Sequence, residues 1–172
     1  SLELPEVGTP LSPSPWREVN TMTVGFGHGI AVSPVQLTGA MAALMNGGVR
    51  IDPTLMARPP MVTPVGTRVM KARTSSIMKR LMRLNVESGT GTKASATGYL
   101  VGGKTGTAEK AGAGGYRRKA LLSSFIGAFP MNDPRYVVLA VIDEPKGNKK
   151  TFGYASGGWT AAPVFGRVVS RI

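Results

Sequence analysis

Two rhythms of apolar and polar positions divide this chain. Leu37, Ala40, Met41 and Leu44 recur at helical spacing and predict a buried helix face. Ser33-Pro34 ahead of them suits an N-cap and a first helical position, and Gly47-Gly48 behind them suits a helix end. Residues 74–86 predict a second helix, with Ile77, Met78, Leu81, Met82 and Leu84 apolar. Ser76, Lys79, Arg80 and Arg83 occupy its opposite, solvent face, and Gly89, Gly91 and Gly98 break it. The rhythm then changes. Residues 100–108, 121–129 and 136–142 read as three successive strands. A glycine-rich loop holding Gly112, Gly114, Gly115 and Tyr116 joins the first two, and the turn Pro130-Met131-Asn132-Asp133-Pro134 joins the second pair. Short links between consecutive strands favour antiparallel pairing. Residues 160–171 predict a closing helix entered at Pro163. Residues 1–20, with Pro5, Pro10, Pro13 and Pro15, read as an extended loop, and Pro53, Pro59, Pro60 and Pro64 mark a connector. The expected fold class is α/β in the broad sense (α+β): an antiparallel sheet flanked by helices.

Length and composition narrow the picture. A chain of 172 residues falls within the size of one domain, and its 42% hydrophobic content suits a packed core. The 23 glycines and 13 prolines predict many turns between short elements. With 21 Lys and Arg against 9 Asp and Glu, the net charge is +12, which favours anionic partners. The basic residues are scattered, however, and the densest cluster is Arg117-Arg118-Lys119. No basic stripe interleaved with aromatics points to single-stranded nucleic acid, so nucleic acid is not an expected partner. One His and no Cys leave no zinc cluster, and neither a metal nor a cofactor is expected. Runs such as Val137–Ile142 are too short to span a bilayer. The chain opens on Ser1-Leu2-Glu3-Leu4-Pro5, as a piece excised from a longer protein would.

The segment Gly102-Gly103-Lys104-Thr105-Gly106-Thr107-Ala108 carries the candidate chemistry. It holds a Lys-Thr-Gly element, and Gly98 with Gly103-Lys104-Thr105 also satisfies the spacing of a phosphate-binding P-loop. Val138–Ile142 followed by Asp143-Glu144 even imitates the magnesium-binding strand of an ATPase. A P-loop needs a strand before its first glycine and a helix starting at its lysine, because the helix N-terminus holds the phosphates. Ser95-Ala96-Thr97 precedes Gly98, and Gly106, Gly112, Gly114 and Gly115 follow Thr105. Each glycine costs a helix about 1 kcal/mol relative to alanine. The P-loop reading fails, and the segment reads as a strand.

A bare Lys-Thr-Gly arises by chance in roughly one chain of this size in ten, so the flanks must decide. Thr23-Val24-Gly25-Phe26-Gly27-His28-Gly29-Ile30, followed by Ser33-Pro34-Val35-Gln36-Leu37, resembles the segment ahead of a helix in class B penicillin-binding proteins. Ala42–Val49, Asn85–Gly91, Ser124–Pro130 and Ala162–Phe165 resemble further segments of that family, in family order and over nearly the whole chain. The cell-division members, which make septal peptidoglycan, look most similar.

That resemblance implies a serine acyl transferase of the penicillin-binding protein and serine β-lactamase fold, acting on the D-Ala-D-Ala end of peptidoglycan stem peptides and trapped by β-lactams. By match, Lys104 brings a positive charge to the site. The Thr105 and Thr107 hydroxyls bind the substrate carboxylate, Gly106 keeps bulk away from the substrate, and the Thr107 N–H forms half of an oxyanion hole. Lys104 is expected near a sheet edge, facing a groove. The Lys104 and Thr107 side chains are both expected to face that groove, so their loss should not unfold the protein. The family nucleophile lies in Ser-x-x-Lys, and Ser76-Ile77-Met78-Lys79 fits that pattern. Its place on a charged solvent face, after the Phe-Gly-His-Gly segment, marks it as a decoy. The family's Ser-x-Asn has no match, so residues 1–172 are expected to be the C-terminal portion of the domain and inactive alone. The resemblance also implies divisome partners and a place on the periplasmic side of the inner membrane, held by an anchor upstream. His28, the sole histidine, is read as a loop residue. The competing class is a basic module that binds anionic polymer without chemistry.

Overall fold

Ser33 opens the first long helix as expected. Its hydroxyl accepts the Gln36 N–H at 3.2 Å, while the Gln36 side chain accepts the Ser33 N–H at 2.8 Å. In this computed structural model, which describes residues 2–3, 8–59, 61–62, 64–112 and 115–172, four α-helices are described. They are α1 (Glu18–Gly25), α2 (Pro34–Met45), α3 (Ala72–Ser88) and α4 (Ala161–Val169). Strands β1 (Val49–Arg50) and β2 (Thr67–Arg68) form a short antiparallel ladder. Strands β3 (Gly102–Gly112), β4 (Gly115–Phe129) and β5 (Tyr136–Asp143) form an antiparallel sheet in the order β3-β4-β5. Pro5, Pro60 and Gly114, and the side chains of Arg118 and Lys119, lie outside the described residues.

Around residues 125–129 the sheet is packed on both faces, which is why β4 and β5 carry continuous apolar runs there. On one face Phe125 and Phe129 of β4 meet Phe165 of α4, with Val86 of α3, Val101 and Val169 around them. The Phe125 and Phe165 rings meet edge to face at 4.8 Å. On the other face Ala128 and Ile126 pack against Met41 and Met45 of α2, with Met82 of α3 and Met131 beside them. Helix α2 ends at Asn46, and Gly47 and Gly48 follow with positive φ. At Gly48 a side chain would also strike the Met70 carbonyl, so glycine is required twice over.

Several expectations need correction. The three strands are antiparallel as predicted, but β3 and β4 run on to Gly112 and Gly115, so most of the expected hairpin loop is ladder. Lys110 of that ladder pairs with Asp143 and Glu144 at 2.9 and 3.2 Å, so the two carboxylates that imitate a magnesium site are held by a lysine. Those hydrogen bonds, Asp143 first, push the Lys110 ammonium above its ordinary value. Residues 18–20 begin α1 instead of continuing a loop, and none of α1 is buried. On α2, Met41, Ala43 and Met45 are buried while Leu37 and Ala40 are exposed, because packing engages only its last turns.

Helix α3 departs most from its expected faces. Ile77, Leu81 and Leu84 are exposed, and the body-facing row is Ser75, Met82 and Val86 with the half-buried stems of Lys79 and Arg83. Ser75 donates to the Leu44 carbonyl at 2.6 Å, which locks α3 to α2. Arg83 donates to the Val101 carbonyl at 2.8 Å and pairs with Glu87 at 2.9 Å. Long basic stems thus cover the core where aliphatic residues were expected, and the Arg83 head is satisfied by a carbonyl and a carboxylate.

Candidate active site on the free edge of the sheet

Strand β3 pairs with β4 on one side only, so its other edge presents unpaired backbone groups. Two contacts fix which residues face outward. The Asn85 amide donates to the Gly103 carbonyl at 2.8 Å, and the Lys104 ammonium donates to the Thr105 carbonyl at 2.8 Å. Residues 103 and 105 therefore direct their backbone groups away from β4, and by the alternation of an antiparallel ladder Thr107 does the same. The Thr107 N–H points off the free edge.

The side chains alternate across the sheet. Lys104 and Gly106 lie on the α2 face, in register with Ile126 and Ser124. Lys104 is exposed, and its ammonium bends round the edge to reach the Thr105 hydroxyl at 3.3 Å. Among the described residues no carboxylate lies within 4.0 Å of it, so its charge is open to an incoming anion. A Cβ on Gly106 would come within 2.5 Å of the Ser124 hydroxyl. The cross-strand serine, and not only a bound substrate, demands glycine there.

Thr105 and Thr107 lie on the α4 face. The Thr105 hydroxyl sits 2.8 Å from that of Thr90, in the turn after α3. The Thr107 hydroxyl accepts the N–H of Gly157 at 3.0 Å, so it is tied to the loop before α4 and does not simply face the groove. A side chain on Gly157 would collide with the Ser124 and Gly106 carbonyls, and one on Gly158 would come within 2.6 Å of the Thr90 carbonyl. Residues 155–158 are therefore pressed flat over the end of the sheet, with the Ser123 hydroxyl donating to the Ala155 carbonyl at 2.5 Å. Next to this loop Lys93 stands 4.2 Å above the Trp159 ring, which Tyr154 stacks upon.

Ser76 and Lys79 do not join this edge. The exposed Ser76 hydroxyl donates to the Ala72 carbonyl of its own helix at 3.1 Å. It stands nine residues, about 13 Å of helix, before Asn85, the α3 residue that touches β3. Lys79 instead lines a cleft of about 510 Å³ with Arg80, Arg83, Leu84, Leu100 and Met131. His28 is an exposed loop residue, stacked on Phe26 and 3.4 Å from the Tyr116 hydroxyl. It thereby touches the β3–β4 hairpin near its tip. Asn85, Thr90 and Gly157 were not among the expected site residues. Nothing in local composition marks them, since each acts through a partner distant in sequence.

Lys104 offers charge, Thr105 a hydroxyl and Thr107 a backbone N–H, all along one open edge. No helix starts at Lys104, which removes the structural basis of a P-loop. Such a row of donors holds an anionic group and stabilises charge developing on a neighbouring oxygen.

Comparison with known proteins points the same way. The model of the penicillin-binding protein transpeptidase domain matches residues 1–170. The chain is 45% identical to the probable peptidoglycan D,D-transpeptidase FtsI of Caulobacter vibrioides, covering 99% of this chain and 31% of that protein. It is 35% identical to the stage V sporulation protein D of Bacillus subtilis, over 88% of this chain and 24% of that one. In structure it is similar to the transpeptidase domain of Burkholderia pseudomallei penicillin-binding protein 3. The TM-score is 0.86 and the identity 34%, over 98% of this chain and 50% of that one. It is also similar to Mycobacterium tuberculosis penicillin-binding protein 3 complexed with ampicillin, with a TM-score of 0.82 and 27% identity over 98% of this chain and 41% of that one. The chain thus spans about a third of the first of these relatives.

Proposed function

The chain belongs to the penicillin-binding protein transpeptidase family, and we propose that it supplies one wall of a peptidoglycan D,D-transpeptidase site, the C-terminal portion of a domain completed by a longer polypeptide. The nucleophilic serine and the Ser-x-Asn element come from that upstream portion. The observation that carries this reading is the row of Lys104, Thr105 and Thr107 on the open edge of β3.

In this reaction the serine oxygen attacks the penultimate D-Ala carbonyl of a stem peptide. The C–N bond breaks, D-Ala leaves with a proton, and an acyl-enzyme remains. An amine of a neighbouring stem then attacks the ester, releasing the serine and forming the cross-link. Lys104 and the Thr105 hydroxyl hold the terminal carboxylate, with the Thr107 hydroxyl available as a further donor. The Thr107 N–H donates to the carbonyl oxygen as negative charge develops on it and the carbon becomes tetrahedral. β-Lactams enter by the same route, in keeping with the ampicillin and aztreonam complexes of the Mycobacterium tuberculosis relative. Septal cell-wall synthesis, divisome partners and a location on the periplasmic side of the inner membrane complete the proposal, supported by the likeness to a relative named as a probable peptidoglycan D,D-transpeptidase.

The test is acylation. The longer polypeptide should form one covalent adduct with a fluorescent penicillin, and residues 1–172 alone should form none. An adduct on the 172-residue chain, lost on Ser76→Ala, would overturn the placement of the nucleophile. No adduct on the longer polypeptide would overturn the function. An uncatalytic basic module would instead bind anionic polymer in a salt-dependent way and ignore penicillin.

A further inference from the structure

We propose that Thr90 is a positioning residue for Thr105, and that its hydroxyl decides whether the Thr105 proton points into the protein or out toward a bound anion. This inference rests on the acyl-transfer reading above and deepens it.

The hydrogen bonds around Thr90 have a definite direction. The Asn85 NH2 group is fixed by donation to the Gly103 carbonyl at 2.8 Å, so its oxygen faces Thr90. That oxygen accepts the Thr90 N–H at 3.2 Å and lies 3.1 Å from the Thr90 hydroxyl. An amide oxygen only accepts, so the Thr90 hydroxyl donates to it. A hydroxyl has one proton, so Thr90 must accept from Thr105 across their 2.8 Å separation. Thr105 in turn accepts from the Lys104 ammonium at 3.3 Å. The chain of donation runs Lys104, Thr105, Thr90, Asn85. In this order the Thr105 proton is turned inward and unusable by a ligand.

One rotation reverses it. If Thr90 swings its proton from Asn85 to Thr105, the Thr105 proton is free to donate to a carboxylate at the edge. The Asn85 oxygen keeps the Thr90 N–H, so no buried acceptor is orphaned. The neutral bond given up is weaker than the charge-assisted bond gained. Chained donation from Thr90 also polarises the Thr105 hydroxyl in the productive sense.

The frame around this pair is built for fixity. Gly89 and Gly91 flank Thr90, and both donate their N–H groups to the Asn85 carbonyl, at 3.0 and 3.1 Å. Side chains at these glycines would come within 2.5 and 2.8 Å of the Asn85 amide. From the other side, Gly158 presses on the Thr90 carbonyl. The turn therefore wraps Asn85 closely and leaves the Thr90 hydroxyl rotor as the free variable.

The test compares benzylpenicillin with its methyl ester on the longer polypeptide, as second-order acylation rates for wild type, Thr90→Val, Thr90→Ser, Thr105→Val and the double valine variant. Thr105→Val should slow reaction with the carboxylate form about tenfold, the loss of one well-aligned hydrogen bond to a charged group. Thr90→Val, which leaves that donor in place but removes the hydroxyl that orients and polarises it, should slow it about threefold, and both should leave the ester rate within about 1.5-fold. Thr90→Ser should restore the carboxylate preference. The double valine variant should be no worse than Thr105→Val, since both changes remove one function. Equal slowing of carboxylate and ester, or additive losses in the double variant, would reduce Thr90 to a structural residue and overturn the inference while the acyl-transfer reading stands. A wild type inert to both compounds would sink that reading, and this inference with it.

Discussion

The N–H of Gly157 donates to the hydroxyl of Thr107 at 3.0 Å, joining the loop before α4 to the strand that carries the candidate site. The residue whose backbone points off the free edge thus uses its side chain to hold the fold together. Thr107→Val keeps the size but leaves the partly buried Gly157 N–H without its partner. We expect about 1–3 kcal/mol of destabilisation, seen as a drop of several degrees in a thermal melt, with Thr107→Ser close to wild type. A melt of Thr107→Val that overlays wild type would show that the bond carries no stability.

Lys104 should behave in the opposite way. It is exposed, and its ammonium reaches only the adjacent Thr105. Lys104→Ala should leave the melt within about 0.5 kcal/mol of wild type. On the longer polypeptide it should slow acylation about a hundredfold, because the fixed charge that holds the substrate carboxylate is lost from the edge. Undiminished acylation would remove this strand from the site.

Gly106 tests the packing rather than the chemistry. Gly106→Ala places its methyl against the Ser124 hydroxyl and should cost about 1–3 kcal/mol by overpacking. Adding Ser124→Ala should recover part of that loss. Equal stability of the Gly106→Ala protein with and without Ser124→Ala would show that the cross-strand contact is not what requires glycine.

The outer end of the β3–β4 hairpin carries a pH signature. The hydrogen bonds that the Lys110 ammonium donates to Asp143 and Glu144 raise it above its ordinary 10.5. A group raised in the folded state lends stability that is present below the unfolded value and lost as pH climbs through the folded one. Melts taken on either side of 10.5 should therefore show an alkaline loss in wild type that Lys110→Met lacks. A parallel alkaline decline in both proteins would rule out this pair as its source.

What the sequence disclosed follows from how local each cause is. Strands β4 and β5 were legible because packing on both faces makes them apolar runs, β3 because its glycines exclude a helix, and the helix start at Ser33 because its capping partner is Gln36, three residues on. The faces of α3 were not legible. The stems of Lys79 and Arg83 cover the body, and Arg83 meets a carbonyl eighteen residues away, which no periodicity encodes. The extended hairpin was missed because its glycines break a helix but are tolerated in a ladder. Lys104, Thr105, Gly106 and Thr107 were legible as one contiguous motif. Asn85 and Thr90 stand in a segment that resembles the family, but their contacts with β3, like that of Gly157, are not legible until folding brings them there.

The donor at Thr107 is a main-chain group, and this limits what inherited variation can do to it. Any residue except proline at that position carries the same N–H, so a coding change cannot delete the donor as it can delete an ammonium or a hydroxyl. It can only shift the strand that holds it. The levers for such a shift are the tight glycine contacts at Gly157 and Gly158, where one added methyl must displace backbone, and at Gly106, where it must move the Ser124 side chain. Heritable tuning of this edge is therefore confined to positions that adjust its geometry by tenths of an ångström and leave its chemistry as it is.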